Sequence, residues 1–249
     1  LEGSENITRQ GEERVQDAYS IRCAPQVHGA SLDAFNFIKE KVEIEMNAVT
    51  DNPIIFTEDG MAISAGNFHG QPLALVFDYL GIAISELANI SERRLERMVN
   101  PALSNGLPPF LVSKPGISSG FMIVQYSAAS LVSENKILAH PASVDSIPSS
   151  AMQEDHVSMG WSAARKLRKV VDNVARILAI ELVTAARAIE FRTGLTPAPA
   201  TARVVKELRT VVGGVGPDRF LSPELEAATA LVNSGAVVAA AKEVVAQLI

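Results

Sequence analysis

Apolar side chains recur every three or four positions over most of this chain, which is the spacing of one face of an α-helix. Four long stretches show the pattern, at residues 32–49, 72–99, 117–139 and 156–192. In the first of them the apolar positions are Leu32, Phe35, Ile38, Val42 and Met46. The last stretch contains no proline and would span roughly 55 Å at 1.5 Å per residue. The pattern predicts an all-α protein built on long helices.

The helix predicted from His156 to about Arg192 is apolar on more than one face. A helix of this length cannot bury itself within one chain of 249 residues, so we expect it to pack against other long helices, including those of other subunits. Shorter helices at residues 204–212 and 223–245 are expected to form a peripheral cap. The chain therefore divides into candidate-site loops and a first helix at 1–70, a long-helix core at 71–192 and the cap at 193–249.

The helical pattern is interrupted in three places. Two short apolar runs, Ile54–Phe56 and Met61–Ile63, flank a Glu-Asp-Gly turn and predict a small β-hairpin. Prolines and glycines exclude regular structure over about fifteen residues after Pro101. Residues 141–155 form a second, Ser-rich loop. Asp155 at its end is suited to the first turn of the long helix, because a carboxylate there meets the positive end of the helix dipole.

Composition excludes several classes of protein. The chain carries 22 Lys+Arg against 28 Asp+Glu, a net charge of −6, so nucleic acid is not expected as a partner. Cys23 is the single cysteine; it cannot form an intramolecular disulfide, and a reducing compartment, the cytoplasm, is expected. The first ten residues are polar and no uninterrupted apolar run of about 18 residues follows, so neither secretion nor a membrane is expected.

Polar residues concentrate in three segments near the predicted ends of elements, at residues 16–22, 66–70 and 153–156. Loops held by a rigid scaffold are where sites usually form. The four histidines lack the His-x-x-x-His spacing that places two imidazoles on one helical face, so no metal site is expected. A Gly-x-Ser-x-Gly elbow for a serine nucleophile is not supported either.

Several runs resemble the C-terminal half of histidine ammonia-lyases, in order from about Val15 to Phe220. They include VQDAYSIRCAPQVHGA, SAGNFHGQPLA, SERRLERMVNPALSNGLPPFL, SGFMIVQYSAASLVSENK and PASVDSIPSSAMQEDHVSMG. The resemblance implies an all-α long-helix bundle of the histidine and phenylalanine ammonia-lyase type, assembled as a homotetramer with active sites built from more than one subunit. It also implies the elimination of ammonia from L-histidine to give trans-urocanate.

The resemblance further implies a methylidene-imidazolone electrophile, which that family makes by cyclisation of an internal Ala-Ser-Gly. This tripeptide does not occur in the sequence. We therefore expect the electrophile, with a tyrosine, a histidine and an asparagine of the site, on a complementary N-terminal half. On this interpretation the chain alone is not a complete catalyst.

Five residues match positions of that family's active site. Tyr19 matches its catalytic tyrosine and Arg22 the arginine that binds the substrate carboxylate, which suits a guanidinium able to form two parallel hydrogen bonds. Gln16 and Phe68 match residues near the electrophile, and the ring of Phe68 also lies against the substrate. Glu154 matches the acid that faces the imidazole and the departing amine. One departure is Ala18, where many relatives have proline.

Two alternatives remain open on the sequence. The first is a phenylalanine or tyrosine ammonia-lyase or an aminomutase of the same family. Relatives acting on aromatic amino acids resemble Asn-Gln-Asp where this chain has Gln153-Glu154-Asp155, and a carboxylate suits an imidazole better than a phenyl ring, so histidine is favoured. The second alternative is a helical assembly fragment without catalytic activity.

Overall fold

The computed structural model describes residues 1–8, 12 and 14–245. Over these residues the fold is mainly helical with one small hairpin, which confirms the predicted class. The helices are α1 Tyr19–Arg22, α2 Ala24–Met46, α3 Gln71–Val99, α4 Met122–Leu138, α5 Gly160–Phe191, α6 Pro199–Leu208, α7 Ser222–Ser234 and α8 Ala236–Lys242. The strands are β1 Ile54–Phe56 and β2 Met61–Ile63, and a short 3-10 turn covers Pro109–Leu111.

The hairpin forms where the sequence predicts it. β1 and β2 are antiparallel, with Ile54 opposite Ile63 and Phe56 opposite Met61. The side chain of Asn52 accepts hydrogen bonds from the Ser64 hydroxyl and the Ala65 N–H, both at 3.1 Å. The base of the hairpin is thereby tied to the loop that follows it.

The predicted start of the longest helix is wrong, because α5 begins at Gly160 and not at His156. The backbone groups just before it are bonded elsewhere. The carbonyl of His156 lies 3.0 Å from the His69 Nε2, and the Val157 N–H donates to the Ser146 hydroxyl at 2.9 Å. Asp155 therefore lies in a loop five residues before α5, and its predicted role in the first turn of that helix is wrong as well.

Other helix ends also differ from the prediction. α2 begins at Ala24, eight residues before the apolar pattern at Leu32 becomes regular. The single-turn α1, which the pattern does not indicate, precedes it. The helix predicted over 223–245 is broken at Gly235, whose left-handed φ of +75° ends α7 before α8 begins.

The chain divides into two compact units, each assembled from separate segments. The hairpin unit comprises Gln26–Leu87 and Glu134–Val171; the terminal unit comprises Leu1–Pro25, Ala88–Ser133 and the chain from Asp172 on. α3, α4 and α5 each contribute residues to both units. The division of the chain into 1–70, 71–192 and 193–249 stays a prediction.

In the hairpin unit, α2 packs on α3. Ala34 and Ile38 of α2 are buried with Val76 and Ala83 of α3, and the Ser31 hydroxyl donates to the carbonyl of Ala83 at 3.0 Å. By length and composition α3 could cross a membrane, but it also carries a buried carboxylate, Asp78, that is ion-paired within the unit. Burial against other helices is what the apolar side chains of a core helix require, so its composition is weak evidence for a membrane span.

In the terminal unit, a buried arginine joins three segments. Arg187 of α5 is 4% exposed and donates to the carbonyl oxygens of Leu111, at 2.7 Å, and Gly216, at 3.1 Å. Its guanidinium carbon lies 4.8 Å from the centre of the Phe121 ring. Burial lowers the pKa of Arg187, with a further lowering by the charge of Arg219. The charge stays paired with carbonyl dipoles and an aromatic face, which stabilise a buried cation.

Gly120 is expected to tolerate no side chain. Its φ is +57°, and a Cβ there would overlap Val112 Cγ1 and lie 2.5 Å from the Phe110 carbonyl oxygen. We expect Gly120→Ala to lower the free energy of unfolding by about 3 kcal/mol, through overpacking and a disfavoured backbone conformation. Denaturant unfolding measures this.

Gly106→Ala is the matched control. Gly106 also has a positive φ, of +82°, but in the described part of the chain no heavy atom beyond its two chain neighbours lies within 4 Å of the added Cβ. Only the backbone cost of about 1 kcal/mol is therefore expected. Equal losses for the two variants would contradict the overlap at Gly120.

Candidate active site

Tyr19 and Arg22 are brought together by the single turn of α1. The carbonyl of Ala18 accepts hydrogen bonds from the N–H groups of Ile21 and Arg22, both at 3.0 Å, which closes the turn. Residues three apart on a helix share a face. The guanidinium carbon of Arg22 accordingly lies 4.5 Å from the centre of the Tyr19 ring.

The Arg22 side chain is exposed and only partly engaged. Its Nε donates to the carbonyl of Asp17 at 3.0 Å, which orients the guanidinium. Among the described residues, no acceptor is bonded to its two terminal nitrogens. Those nitrogens can still form the two parallel hydrogen bonds by which arginine binds a carboxylate. Tyr19 is 70% exposed and Gln16 is also exposed, so this side of α1 is open to a ligand or a partner.

Phe68 lies in the hairpin unit, in the turn that leads into α3. The N–H of His69 donates to the carbonyl of Gly66 at 3.0 Å, and the side-chain amide of Asn67 donates to the carbonyl of Val49 at 3.4 Å. These bonds hold the turn with the Phe68 side chain 56% exposed. An exposed aromatic ring on a fixed turn is suited to contact a ligand or another chain.

Two histidines join the Phe68 turn to the loop that carries Glu154. The rings of His69 and His156 are stacked, with 5.7 Å between centroids and 4° between planes. The His69 Nε2 also lies 3.0 Å from the His156 carbonyl oxygen and carries the proton when it donates to it. The predicted segments 66–70 and 153–156 are therefore neighbours in the fold, although 87 positions separate the two histidines.

Glu154 lies at the base of a tight loop. Its backbone N–H and carbonyl pair with those of Ser149, at 3.2 and 2.8 Å, and its carboxylate accepts from the Ser149 hydroxyl at 2.5 Å. The intervening Ser150, Ala151 and Met152 all have left-handed φ, between 51° and 70°. Residues other than glycine rarely adopt this conformation, and such strain concentrates at functional sites. The sequence pattern does not predict this turn, because it contains no glycine.

The start of the same loop is anchored by a buried carboxylate. Asp78 of α3 accepts from the Ser143 N–H at 2.7 Å and pairs with Lys166 of α5 at 2.9 Å. Gln71 donates to the Ser143 carbonyl at 3.1 Å. Burial raises the pKa of Asp78, but hydrogen bonds from Ser143 and Lys166 outweigh it and hold that pKa below its ordinary value. Asp78 therefore stays ionised and holds the loop between α3 and α5.

The five predicted site residues form two groups. Gln16, Tyr19 and Arg22 lie in the terminal unit, and Phe68 and Glu154 lie in the hairpin unit. Among the described residues, no three His, Cys, Asp or Glu side chains are grouped to hold a metal ion. A groove of about 780 Å³ in the terminal unit, between α4, α5 and α7, includes none of the five. The candidate site residues thus lie on α1 and on exposed loops, and not in that groove.

Comparison with known proteins covers most of the chain. The family model of the aromatic amino acid lyases matches residues 1–210. The chain is 61% identical to histidine ammonia-lyase of Geobacillus thermodenitrificans over 237 residues, which cover 95% of this chain and 47% of that protein. It is 56% identical over its full length to histidine ammonia-lyase 1 of Fusobacterium nucleatum, of which it covers 48%. The chain thus spans about half the length of the curated relatives it matches.

This chain is also similar to a solved structure. The histidine ammonia-lyase of Trypanosoma cruzi superposes with a TM-score of 0.87 at 49% identity, over 92% of this chain and 45% of that one. The resemblance stated from the sequence is confirmed.

Proposed function

The chain belongs to the aromatic amino acid lyase family, and on this premise we propose that it forms the C-terminal half of a histidine ammonia-lyase. The reaction is the elimination of ammonia from L-histidine to give trans-urocanate. The observation that carries the proposal is the Tyr19–Arg22 pair, in which an exposed guanidinium lies over a phenol ring and two of its nitrogens have no acceptor among the described residues. An α-amino acid presents a carboxylate and an ammonium close together, which suits an anchor of this kind.

Arg22 binds the substrate carboxylate in this proposal. Its Nε is already bonded to the Asp17 carbonyl, so the guanidinium plane is oriented before the substrate arrives. An oriented anchor loses less conformational entropy on binding and aligns the substrate for reaction. Tyr19 lies beside the same carboxylate site, where its hydroxyl can take up or return a proton at the reacting carbon.

Gln16 and Phe68 face the family's electrophile in this proposal. Their side chains fit such a group, because both are exposed and offer an amide and a flat apolar surface. When present, the methylidene-imidazolone supplies the electron-poor centre that makes loss of ammonia possible. Since the sequence has no Ala-Ser-Gly, we place that group on a complementary N-terminal half, and this chain contributes binding and proton handling.

Glu154 selects the substrate side chain in this proposal. Its carboxylate accepts a hydrogen bond from an imidazole N–H, which a phenyl ring cannot donate. Phenylalanine would give the carboxylate no donor beyond the Ser149 hydroxyl, so that part of its charge would be desolvated without compensation, which costs free energy. Histidine is thereby favoured over the substrates of the aromatic amino acid lyases and aminomutases.

The exposed apolar surface of the long helices indicates that other protein chains pack against this one. Large apolar side chains on the long helices stay open to solvent, among them Tyr126 at 60% and Trp161 at 77% exposed. Aromatic residues are enriched in interfaces, and an extended exposed apolar surface marks a site of protein association. We propose that the complementary half and further copies, in a homotetramer, cover them. A cytoplasmic location is consistent with the unpaired Cys23, and neither a membrane nor a nucleic acid is proposed as a partner.

The test uses the full-length protein that contains this chain. Wild type is expected to convert L-histidine to urocanate, followed by ultraviolet absorbance, and Glu154→Gln is expected to lower kcat/KM for histidine about 100-fold. Turnover of phenylalanine, followed as cinnamate, is expected to stay the same or rise. Asp145→Asn removes an exposed charge from the same loop and is expected to leave kcat/KM unchanged for both substrates.

The pattern of losses separates two roles for Glu154. A loss of activity that is confined to histidine supports recognition of the imidazole ring by Glu154. An equal loss of activity on every substrate means that the carboxylate interacts with the departing amine instead. Unchanged activity on all substrates would overturn its place in the site. A wild-type enzyme that consumes phenylalanine or tyrosine but not histidine would overturn the proposed substrate.

A further inference from the structure

α1 carries two proposed functional residues but has little packing of its own. It is four residues long, none of them is buried, and no side chain caps its N-terminus. A single turn of helix is not stable by itself in water. Something outside α1 must therefore fix the direction in which Tyr19 and Arg22 point.

A pair of side chains from two long helices lies against this turn. Arg94 of α3 and Glu181 of α5 are joined by two hydrogen bonds, from Nε to Oε1 at 2.5 Å and from Nη2 to Oε2 at 2.9 Å. The two side chains are only 22% and 19% exposed. The Ser91 hydroxyl donates to the same carboxylate at 2.5 Å. The guanidinium is thus held in one plane by groups on rigid elements.

The remaining nitrogen of Arg94 reaches α1. Its Nη1 donates to the carbonyl oxygen of Ser20 at 3.4 Å. Carbonyl groups in the last turn of a helix lack partners within it, so an arginine is a suitable donor there. Ser20 lies between Tyr19 and Arg22 in the chain, and its buried hydroxyl has no partner among the described residues. The bond from Arg94 is therefore a polar attachment of α1 to the long helices.

We propose that the Arg94–Glu181 pair is a positioning device that aims Arg22 at the substrate carboxylate through the backbone of α1. This inference rests on the proposed function, because it takes Arg22 as the carboxylate anchor. Arginine is required at position 94, since three nitrogens are used at once and lysine has only one. The SERR run, one of the stretches that carry the family resemblance, thereby acquires a specific role.

The test compares two ligands of the full-length enzyme by calorimetry. Urocanate carries a carboxylate, whereas histamine has the imidazole and amine of histidine without it. We expect Arg94→Lys to weaken urocanate binding about tenfold, because a displaced anchor aligns poorly, and to leave histamine binding unchanged. Glu181→Gln, which weakens the hold on the Arg94 guanidinium, is expected to show the same selectivity.

Arg209 provides a matched control. It pairs with Glu190, also on α5, at 2.6 Å, donates to a backbone carbonyl, of Gly213, at 3.1 Å, and has similar exposure. Nothing connects it to α1 within the described part of the chain. Arg209→Lys is therefore expected to bind both ligands as wild type does, even if its melting temperature falls as much as that of Arg94→Lys.

Arg22→Ala separates failure of this inference from failure of the proposed function. If Arg22→Ala weakens urocanate selectively and Arg94→Lys does not, the positioning role is wrong and the proposed function stands. If Arg94→Lys weakened the binding of urocanate and of histamine equally, the site would be generally destabilised, and the positioning role would again be wrong. If Arg22→Ala is itself without effect, the carboxylate anchor is wrong and the positioning role fails with it. If Arg94 acts through Arg22, the double variant Arg22→Ala/Arg94→Lys is expected to lose no more urocanate affinity than Arg22→Ala alone.

Discussion

No urocanate is expected when the purified 249-residue chain is incubated with L-histidine. The β-hydrogen of histidine is too weakly acidic for an unaided side-chain base, and the family's electrophile comes from an Ala-Ser-Gly that this sequence lacks. Loss of an electrophile of this kind costs a large part of an enzymatic rate enhancement, roughly 10⁶-fold or more. In the proposed site Tyr19, Arg22 and Glu154 bind and orient the substrate, but their side chains do not supply an electron sink.

The measurement is urocanate absorbance over hours at high protein concentration. Circular dichroism of the same sample shows whether the chain is helical, so that inactivity is not mistaken for unfolding. Addition of the complementary half, expressed separately, is expected to restore activity. Turnover by the chain alone would show that the electrophile is not required or arises from other residues.

Arg22→Ala in the full-length enzyme is expected to lower kcat/KM for histidine about 100-fold. Loss of two charge-assisted hydrogen bonds to a carboxylate costs about 2–4 kcal/mol, and the substrate also loses its alignment. Both a higher KM and a lower kcat are therefore expected in steady-state kinetics. Arg176→Ala is a suitable control, because Arg176 is an exposed arginine of the same unit that pairs with Glu226 at 3.7 Å.

Tyr19→Phe tests the other member of the pair. Phenylalanine keeps the ring that lies 4.5 Å from the Arg22 guanidinium carbon and removes only the hydroxyl. The anchor is therefore preserved, and the loss is expected chiefly in kcat. If Arg22→Ala and Tyr19→Phe both turned over histidine normally, α1 would not belong to the active site.

Local sequence determines the elements whose stability comes from nearby residues. The hairpin strands occur at the predicted residues, because two short apolar runs around a Glu-Asp-Gly turn are properties of adjacent positions. α3 begins at Gln71 and ends at Val99, within one residue of the prediction, since its apolar period and flanking loops are also local. The choice of the five site residues came from the resemblance, because spacing alone does not distinguish Arg22 or Phe68 from ordinary surface residues.

Tertiary structure decided the features that depend on residues far apart in the chain. α5 starts at Gly160 because the His156 carbonyl and the Val157 N–H are bonded to His69 and Ser146, and these bonds replace the first turn of a longer helix. The left-handed turn before Glu154 persists because the Ser149 pairing and the Asp78 anchor hold the loop around it. α1 is a single turn that the apolar pattern does not indicate, and it is attached through Arg94, 74 positions away from Ser20. The periodicity of a sequence reports which face of an element is buried, whereas the energy of these contacts depends on which distant groups the fold brings within hydrogen-bonding distance.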